Sequence, residues 1–175
     1  MKIALIGHSG SGKSTLAKKL SEKYRVPVLY LDTVHWLPGW QEREREDEYA
    51  IVKAFLDENP EGWVIDGNYT KLLRERRLEE ADKIIYMSFN RVSCLWRAAK
   101  RRKKYAGRSR DSMTEGCNER LHGEFIKWIL FDSRTKERME KFNSVLSEYP
   151  EKTVVIKSQR ALVRFENEEG LPHGE

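Results

Sequence analysis

The chain has 175 residues, 35% of them charged and 39% hydrophobic, and a formal net charge of +5 from 33 Lys and Arg against 28 Asp and Glu. That length suits one domain with a core of its own, and no apolar run approaches the roughly 18 residues that a membrane span needs. Cys94 and Cys117 lie far apart with no CxxC partner, which argues against a disulfide framework or a zinc site and for a reducing cytoplasm.

In chain order, Lys2 to Gly7 (KIALIG) is an apolar burst too short for a signal-peptide core, and it reads as a strand buried on both faces. Ser14 to Tyr24 carries Leu16, Ala17 and Leu20 at helical spacing. Val26 to Leu31 is a second strand, ending at Asp32, and Pro27 near its start places it at a sheet edge. Tyr49, Val52, Phe55 and Leu56 share one helix face. The turn Asn59-Pro60-Glu61-Gly62 leads into a third strand, Trp63 to Ile65, which ends at Asp66. Lys83 to Phe89 is a fourth strand, followed by a helix face at Val92, Leu95, Trp96 and Ala99. Further faces follow at Leu121, Phe125, Trp128 and Ile129, and at Met139, Phe142, Val145 and Leu146. Thr153 to Ile156 is the fifth strand. Strands alternating with helices predict an α/β fold with a parallel sheet and right-handed crossovers. The expected organisation is one domain over 1–165. A polar, glycine-bearing excursion at about 105–120 acts as a mobile lid, and an acidic tail over 166–175 is expected to fray.

The run Gly7-His8-Ser9-Gly10-Ser11-Gly12-Lys13-Ser14 matches G-x-x-x-x-G-K-[ST], between a buried strand and an amphipathic helix. Its glycines let the backbone curl so that amides from Ser9 to Thr15 point at phosphate oxygens, and the helix adds its positive end. Lys13 is expected to reach the β- and γ-phosphates of ATP, and the Ser14 hydroxyl to ligate Mg²⁺. His8 reads as a tolerated variable position.

Ligands of open parallel sheets bind at the carboxyl ends of strands, which is where Asp32 and Asp66 fall. We assign Asp32 to the acceptor, as the group that takes or orients its proton. Asp66 is assigned to the metal side, within reach of the acceptor. The reverse assignment is the alternative, and either could instead cap a helix or form a turn. His35 and Trp36 lie in a candidate pocket wall, Thr33 to Trp40, with local packing as the alternative; Asn68 joins the acceptor side.

From Arg97 to Arg110 there are eight basic residues and no acid. Arg97, Arg101 and Lys104 share a helical face, and guanidinium forks suit a transferring phosphoryl group. Gly107 and Gly116 allow the segment beyond to close over a nucleotide, and Arg134 and Arg138 complete the clamp. The competing readings are a solvated face and a patch for nucleic-acid phosphates, although no DNA-reading motif accompanies it.

Taken together, GHSGSGKST, LDTVHWLPGW, WVIDGNYT, LWRAAKRR and DSMTEGCNERL resemble the bacterial topology modulation proteins, also called FlaR-type, over roughly Lys2 to Phe165. That group is similar to adenylate and shikimate kinases. The resemblance implies a three-layer P-loop fold with sheet order 2-3-1-4-5 and an arginine-rich lid after the fourth strand. It further implies ATP with Mg²⁺, and an adenine contact near Ser158, Gln159 and Arg160. The implied activity is transfer of the γ-phosphoryl group of ATP to the hydroxyl or phosphate of a small molecule. The alternatives are a nucleotide-dependent DNA-associated regulator and a simple ATPase. The chain departs from these relatives in carrying Asp66-Gly67-Asn68-Tyr69-Thr70 where adenylate kinases have Asp-Gly-Phe-Pro-Arg, so the arginine that grips a nucleoside monophosphate is missing. It lacks the cysteine-bearing zinc lid of some relatives, and Asp32-x-x-His35 differs from the two-aspartate motif of shikimate kinases.

Overall fold

The computed structural model describes residues 1–105, 107–118 and 121–172. The elements in chain order are β1 (Lys2–Gly7), α1 (Lys13–Tyr24), β2 (Val28–Tyr30), α2 (Leu31–His35), β3 (Trp36–Leu37), β4 (Gln41–Glu42), α3 (Arg45–Glu58), β5 (Trp63–Asp66) and α4 (Arg74–Glu80). They continue with β6 (Lys83–Met87), α5 (Arg91–Lys104), α6 (Gly123–Leu130), a 3-10 turn (Asp132–Arg134), α7 (Lys136–Glu148), β7 (Thr153–Ile156) and α8 (Gln159–Glu168). Among the described residues, five strands form a parallel sheet in the order β2-β5-β1-β6-β7. Counted within that sheet alone, this is the expected order 2-3-1-4-5. β3 and β4 form a separate antiparallel hairpin.

Side chains alternate across a strand, so each inner strand feeds two cores. Ile3, Leu5, Val64, Ile85 and Met87 face α1, α5, α6 and α8. Ala4, Ile6, Trp63, Ile65, Ile84 and Tyr86 face α2, α3, α4 and α7. The result is three layers, with the sheet in the middle.

Several elements differ from the sequence expectation. The second strand stops at Tyr30 because Leu31 and Val34, three apart and both buried, start the short helix α2. Asp32 therefore sits in a first helical turn, just beyond the strand. On α5 most of the expected face is outward: Val92 is 75% exposed, Trp96 63% and Ala99 is exposed, whereas Leu95 packs partly buried against the core beside the buried Cys94 and Ala98. The cause is the glycine-rich loop. A Cβ on Gly10 would lie 2.4 Å from the Cys94 carbonyl oxygen, so the loop packs on the α5 backbone and needs small residues beneath it. α4 is not expected from the sequence, because RERRLEE holds a single apolar residue. The Tyr105–Arg120 segment is less detached than a polar excursion should be. Ser112 and Cys117 are buried, Thr114 donates to the Trp36 carbonyl, and the Cys117 thiol donates to the Leu37 carbonyl at 3.2 Å. Residues 106, 119 and 120 of the expected lid lie outside the described residues.

The acidic tail is docked through Leu171. Glu166 is 5% exposed and pairs with Lys19 at 2.5 Å, and the Leu171 amide donates to the Glu166 carbonyl at 2.7 Å. Its charge predicts fraying, but the carboxylates find lysines on α1 and β6 instead. The remaining expected tail, 173–175, lies outside the described residues. Glu169 accepts from Lys83, from Tyr24 Oη at 2.6 Å and from Lys23 at 2.9 Å. Burial alone would raise its carboxyl, but these three donors hold it at about 2, against an ordinary value of 4.5. A depressed folded-state value gives stability that is complete above the unfolded value and fades as pH falls from 4.5 towards 2. Glu169→Gln should therefore lower the urea midpoint at pH 7 and cost less at pH 3. Equal losses at the two pH values would contradict this role.

Candidate active site

One cavity of about 2040 Å³ runs along the carboxyl edge of the sheet, lined by the glycine-rich loop, the α2–β4 segment, the Asp66–Leu72 segment and α5. Drug-sized ligand pockets run from about 300 to 1,000 Å³, so this one has room for two ligands side by side.

The loop is shaped by backbone demands. Gly7, Gly10 and Gly12 have φ of 138°, 80° and 98°, the left-handed region that glycine enters without steric cost. A Cβ on Gly7 would meet the Met87 carbonyl oxygen at 2.3 Å. Asn68 secures the same point from the other side: its side chain accepts from the Gly7 amide at 2.8 Å and donates to the Gly7 carbonyl at 2.6 Å. The expectation that Asn68 binds substrate thus meets an amide already engaged in bracing the loop. Ser9 accepts from Trp128 Nε1 at 3.3 Å. The Ser11 hydroxyl is buried with no partner among the described residues. Lys13 Nζ reaches back over the loop to the His8 carbonyl at 3.1 Å.

Beside the loop, Ser14 Oγ donates to Asp66 Oδ2 at 2.6 Å. Asp66 is buried, and its Oδ1 has no partner among the described residues. Burial pushes this carboxyl up, against the Lys13 charge and the Ser14 hydrogen bond, which favour the anion. Asp32 lies across the cavity with a half-exposed side chain. It accepts from Tyr69 Oη at 2.9 Å and faces Arg110 Nη2 at 3.6 Å. Burial and the Asp32 charge raise the Tyr69 phenol well above its usual range, so it stays a donor. His35 Nδ1 meets Glu48 Oε1 at 2.5 Å. The ring of His35 packs on Trp36 and Tyr69, with centroids 4.6 and 5.0 Å apart. Trp40, held at φ 66°, extends this wall from Trp36.

Sequence reasoning missed Tyr69 and Glu48. Tyr69 follows the strand-end Asp66 by three residues, which was its available signal. Glu48 was hidden in the acidic run from Glu42, which looks solvated. Also missed was Arg77, 2% exposed on α4. It donates to the carbonyls of Leu72 at 2.7 Å, Tyr69 at 2.6 Å and Gly67 at 3.4 Å, so it shapes the segment carrying Asn68 and Tyr69. Burial lowers its guanidinium to about 9, leaving it cationic at neutral pH. Arg77→Met would leave three carbonyls unmet, and should cost about 2–4 kcal/mol in chemical denaturation. An unchanged midpoint would show that the segment holds its shape without it.

Of the remaining expected residues, Thr15, Arg97, Arg101, Arg138 and Gln159 line the cavity. Arg97 donates to the Ser11 carbonyl at 3.2 Å and to Gln159 Oε1, and stacks on Phe89 with 4.4 Å to the centroid. Arg138 stacks on Trp128 at 4.5 Å. Arg134 does not line the cavity; its Nη2 donates to the Phe89 carbonyl at 2.6 Å and to Cys94 Sγ at 3.5 Å. Exposed Arg160 does not line it either, although neighbouring Gln159 does.

Comparison with solved structures finds the same fold in proteins described as kinases. A gluconokinase from Sinorhizobium meliloti 1021 aligns over 96% of this chain and 88% of its own, at 17% identity and a TM-score of 0.50. An inferred kinase from Chloroflexus aurantiacus j-10-fl aligns over 95% and 96%, at 13% identity and a TM-score of 0.52. The chain has a P-loop kinase-like fold. At these identities the likeness speaks for the fold alone. In sequence, 61 residues are 44% identical to the sublancin-168-processing and transport ATP-binding protein SunT of Bacillus subtilis (strain 168), covering 34% of this chain. The counterpart from Bacillus phage SPbeta matches equally. The chain spans about 8% of the length of these curated relatives. No family model matches the chain. Among the described residues, no helix is long and apolar enough to cross a membrane.

Proposed function

We propose that this protein is an ATP- and Mg²⁺-dependent phosphotransferase acting on a small molecule with a free hydroxyl or phosphate. The observation that carries the reading is the single cavity shared by the glycine-rich loop and the Asp32–Tyr69 pair. ATP with Mg²⁺ supplies the transferable phosphoryl group and offsets its negative charge. The fit for the metal rests on Asp66 Oδ1, a buried carboxylate oxygen without a partner among the described residues, beside the Ser14 hydroxyl. A magnesium ion takes one or two such protein ligands and keeps several waters.

The loop amides and Lys13 hold the phosphates, and Arg97 and Arg101 neutralise charge on the moving group. Asp32, fixed by Tyr69, accepts the proton of the acceptor hydroxyl as its oxygen bonds to phosphorus and the bond to the leaving diphosphate breaks. The exposed site of Asp32 and the Ser14 bond of Asp66 support this division of labour over its reverse. The segment with Arg110 lies against Asp32, which supports a lid that excludes water. Gln159, at the start of α8 beside Arg97, supports an adenine site there.

The resemblance to topology modulation proteins offers a second reading, a nucleotide-dependent regulator on DNA. One observation favours it: α5 presents exposed Val92 and Trp96, with Lys100 over the indole at 5.5 Å. The two readings are separated by a transfer assay and a DNA titration over a range of salt. The protein is incubated with labelled ATP, Mg²⁺ and a panel of hydroxylated metabolites, and transfer to an acceptor is compared with release of phosphate to water. Transfer to one chemical class supports the kinase. Release alone supports a simple ATPase, and DNA affinity that falls steeply with salt supports the regulator.

A further inference from the structure

His8 has no part in the chemistry described so far, yet its placement is specific. It is 2% exposed, and neither ring nitrogen has a hydrogen-bond partner among the described residues. The ring stands edge-on to Tyr86 and Phe142, with centroids 6.2 and 5.4 Å apart. Tyr86 belongs to the core shared with α2, α3, α4 and α7, and Phe142 packs against it. His8 therefore lies on the same side of the sheet as Asp32. Ser133 is 7% exposed, its hydroxyl is also unpartnered among the described residues, and both side chains line the cavity together with Arg138. Next to Ser133 in sequence, Arg134 does not line the cavity, but its Nε is likewise buried without a partner among the described residues and its charge acts on His8. Burial and the charges of Arg134, Lys13 and Arg91 hold the imidazole down at about 3. It is therefore neutral, with one N–H to donate, in a positive field.

We infer that His8 and Ser133 form an oxyanion subsite, in which they hydrogen-bond a carboxylate or phosphate group of the acceptor while its hydroxyl lies at Asp32. Buried unmet donors in a positive field favour an anion over a neutral group. The wall across the cavity has the opposite character, with Asp32 and Glu48. His8 follows β1 and Asp32 follows β2, with β5 between them. Two strand spacings make roughly 10 Å, the reach of a small hydroxy acid or sugar phosphate. This names the substrate class for the phosphotransferase reading and rests on it for the reaction, but the subsite can be read without turnover.

The test titrates the protein, with and without ADP and Mg²⁺, with ribonate, ribose 5-phosphate and ribose. Calorimetry gives the affinities, and the imidazole ¹⁵N signals of His8 report contact. At least one anion should shift those signals and bind about 10-fold or more tighter than ribose. Which anion does so decides between carboxylate and phosphate. Ser133→Ala and His8→Phe should each weaken that anion by about 10-fold, while Ser133→Ala leaves ADP affinity unchanged. Equal binding of ribose and both anions, or anion binding unchanged in both variants, overturns the subsite. Failure of ADP to bind would instead count against the phosphotransferase reading, while the titration without nucleotide still reads the subsite.

Discussion

Lys13→Ala should weaken nucleotide binding by about 10²-fold and lower turnover by about 10³-fold or more, without unfolding the protein. The expected effect is electrostatic. On the proposed reading the loop amides would supply partial charges and Lys13 a full one to phosphate oxygens, in a cavity walled by low-dielectric core. The charge on the transferring group spreads over its oxygens in the transition state, so the loss falls on turnover more than on affinity. The structural cost is small, because the ammonium's hydrogen bond runs to the His8 carbonyl on the loop's own surface. Calorimetry with ATP and a steady-state assay read both effects, and circular dichroism checks the fold. Unchanged affinity and turnover would remove the loop from the mechanism.

Asp32→Asn should lower turnover by about 10²- to 10⁴-fold and leave nucleotide affinity nearly unchanged. The amide has the same shape and can still accept from Tyr69 Oη, which now sits 2.9 Å from the carboxylate. What it loses is the ability to take a proton from the acceptor. Asp66→Asn should do the opposite first, weakening Mg²⁺-dependent nucleotide binding through Ser14, whose hydroxyl lies 2.6 Å from Asp66. A kinetic comparison of the two variants separates the roles. If Asp32→Asn mainly weakened Mg²⁺-dependent binding and Asp66→Asn mainly slowed transfer, the assignments would be exchanged.

The sequence showed the loop most clearly, because tight backbone curvature leaves glycine at fixed positions and little freedom around them. It also showed the five strands and their layering. The apolar bursts that end at Gly7, Asp32 and Asp66 are too short for buried helices and too apolar for loops. Helix faces were less legible. On α5 the pattern Val92, Leu95, Trp96, Ala99 promised burial. The close approach of Gly10 to the Cys94 carbonyl turned the small Cys94 and Ala98 inward, and of the expected face Leu95 packs partly buried against the core. α4 was invisible because its anchor is Arg77, a charged residue satisfied by three carbonyls rather than by apolar contact. The cavity wall around Asp32 was half legible: Asp32, His35 and Trp36 line the same cavity. Tyr69 and Glu48 join them only through tertiary contacts, at separations in sequence that local pattern does not reveal.

The most direct measurement is calorimetric titration of the purified protein with ATP, in the presence and absence of Mg²⁺. The account predicts saturable one-site binding with a dissociation constant below about 1 mM, tightened by the metal and lost in Lys13→Ala. No heat of binding with ATP and Mg²⁺ at millimolar concentration, for a protein that is folded by circular dichroism, would contradict it.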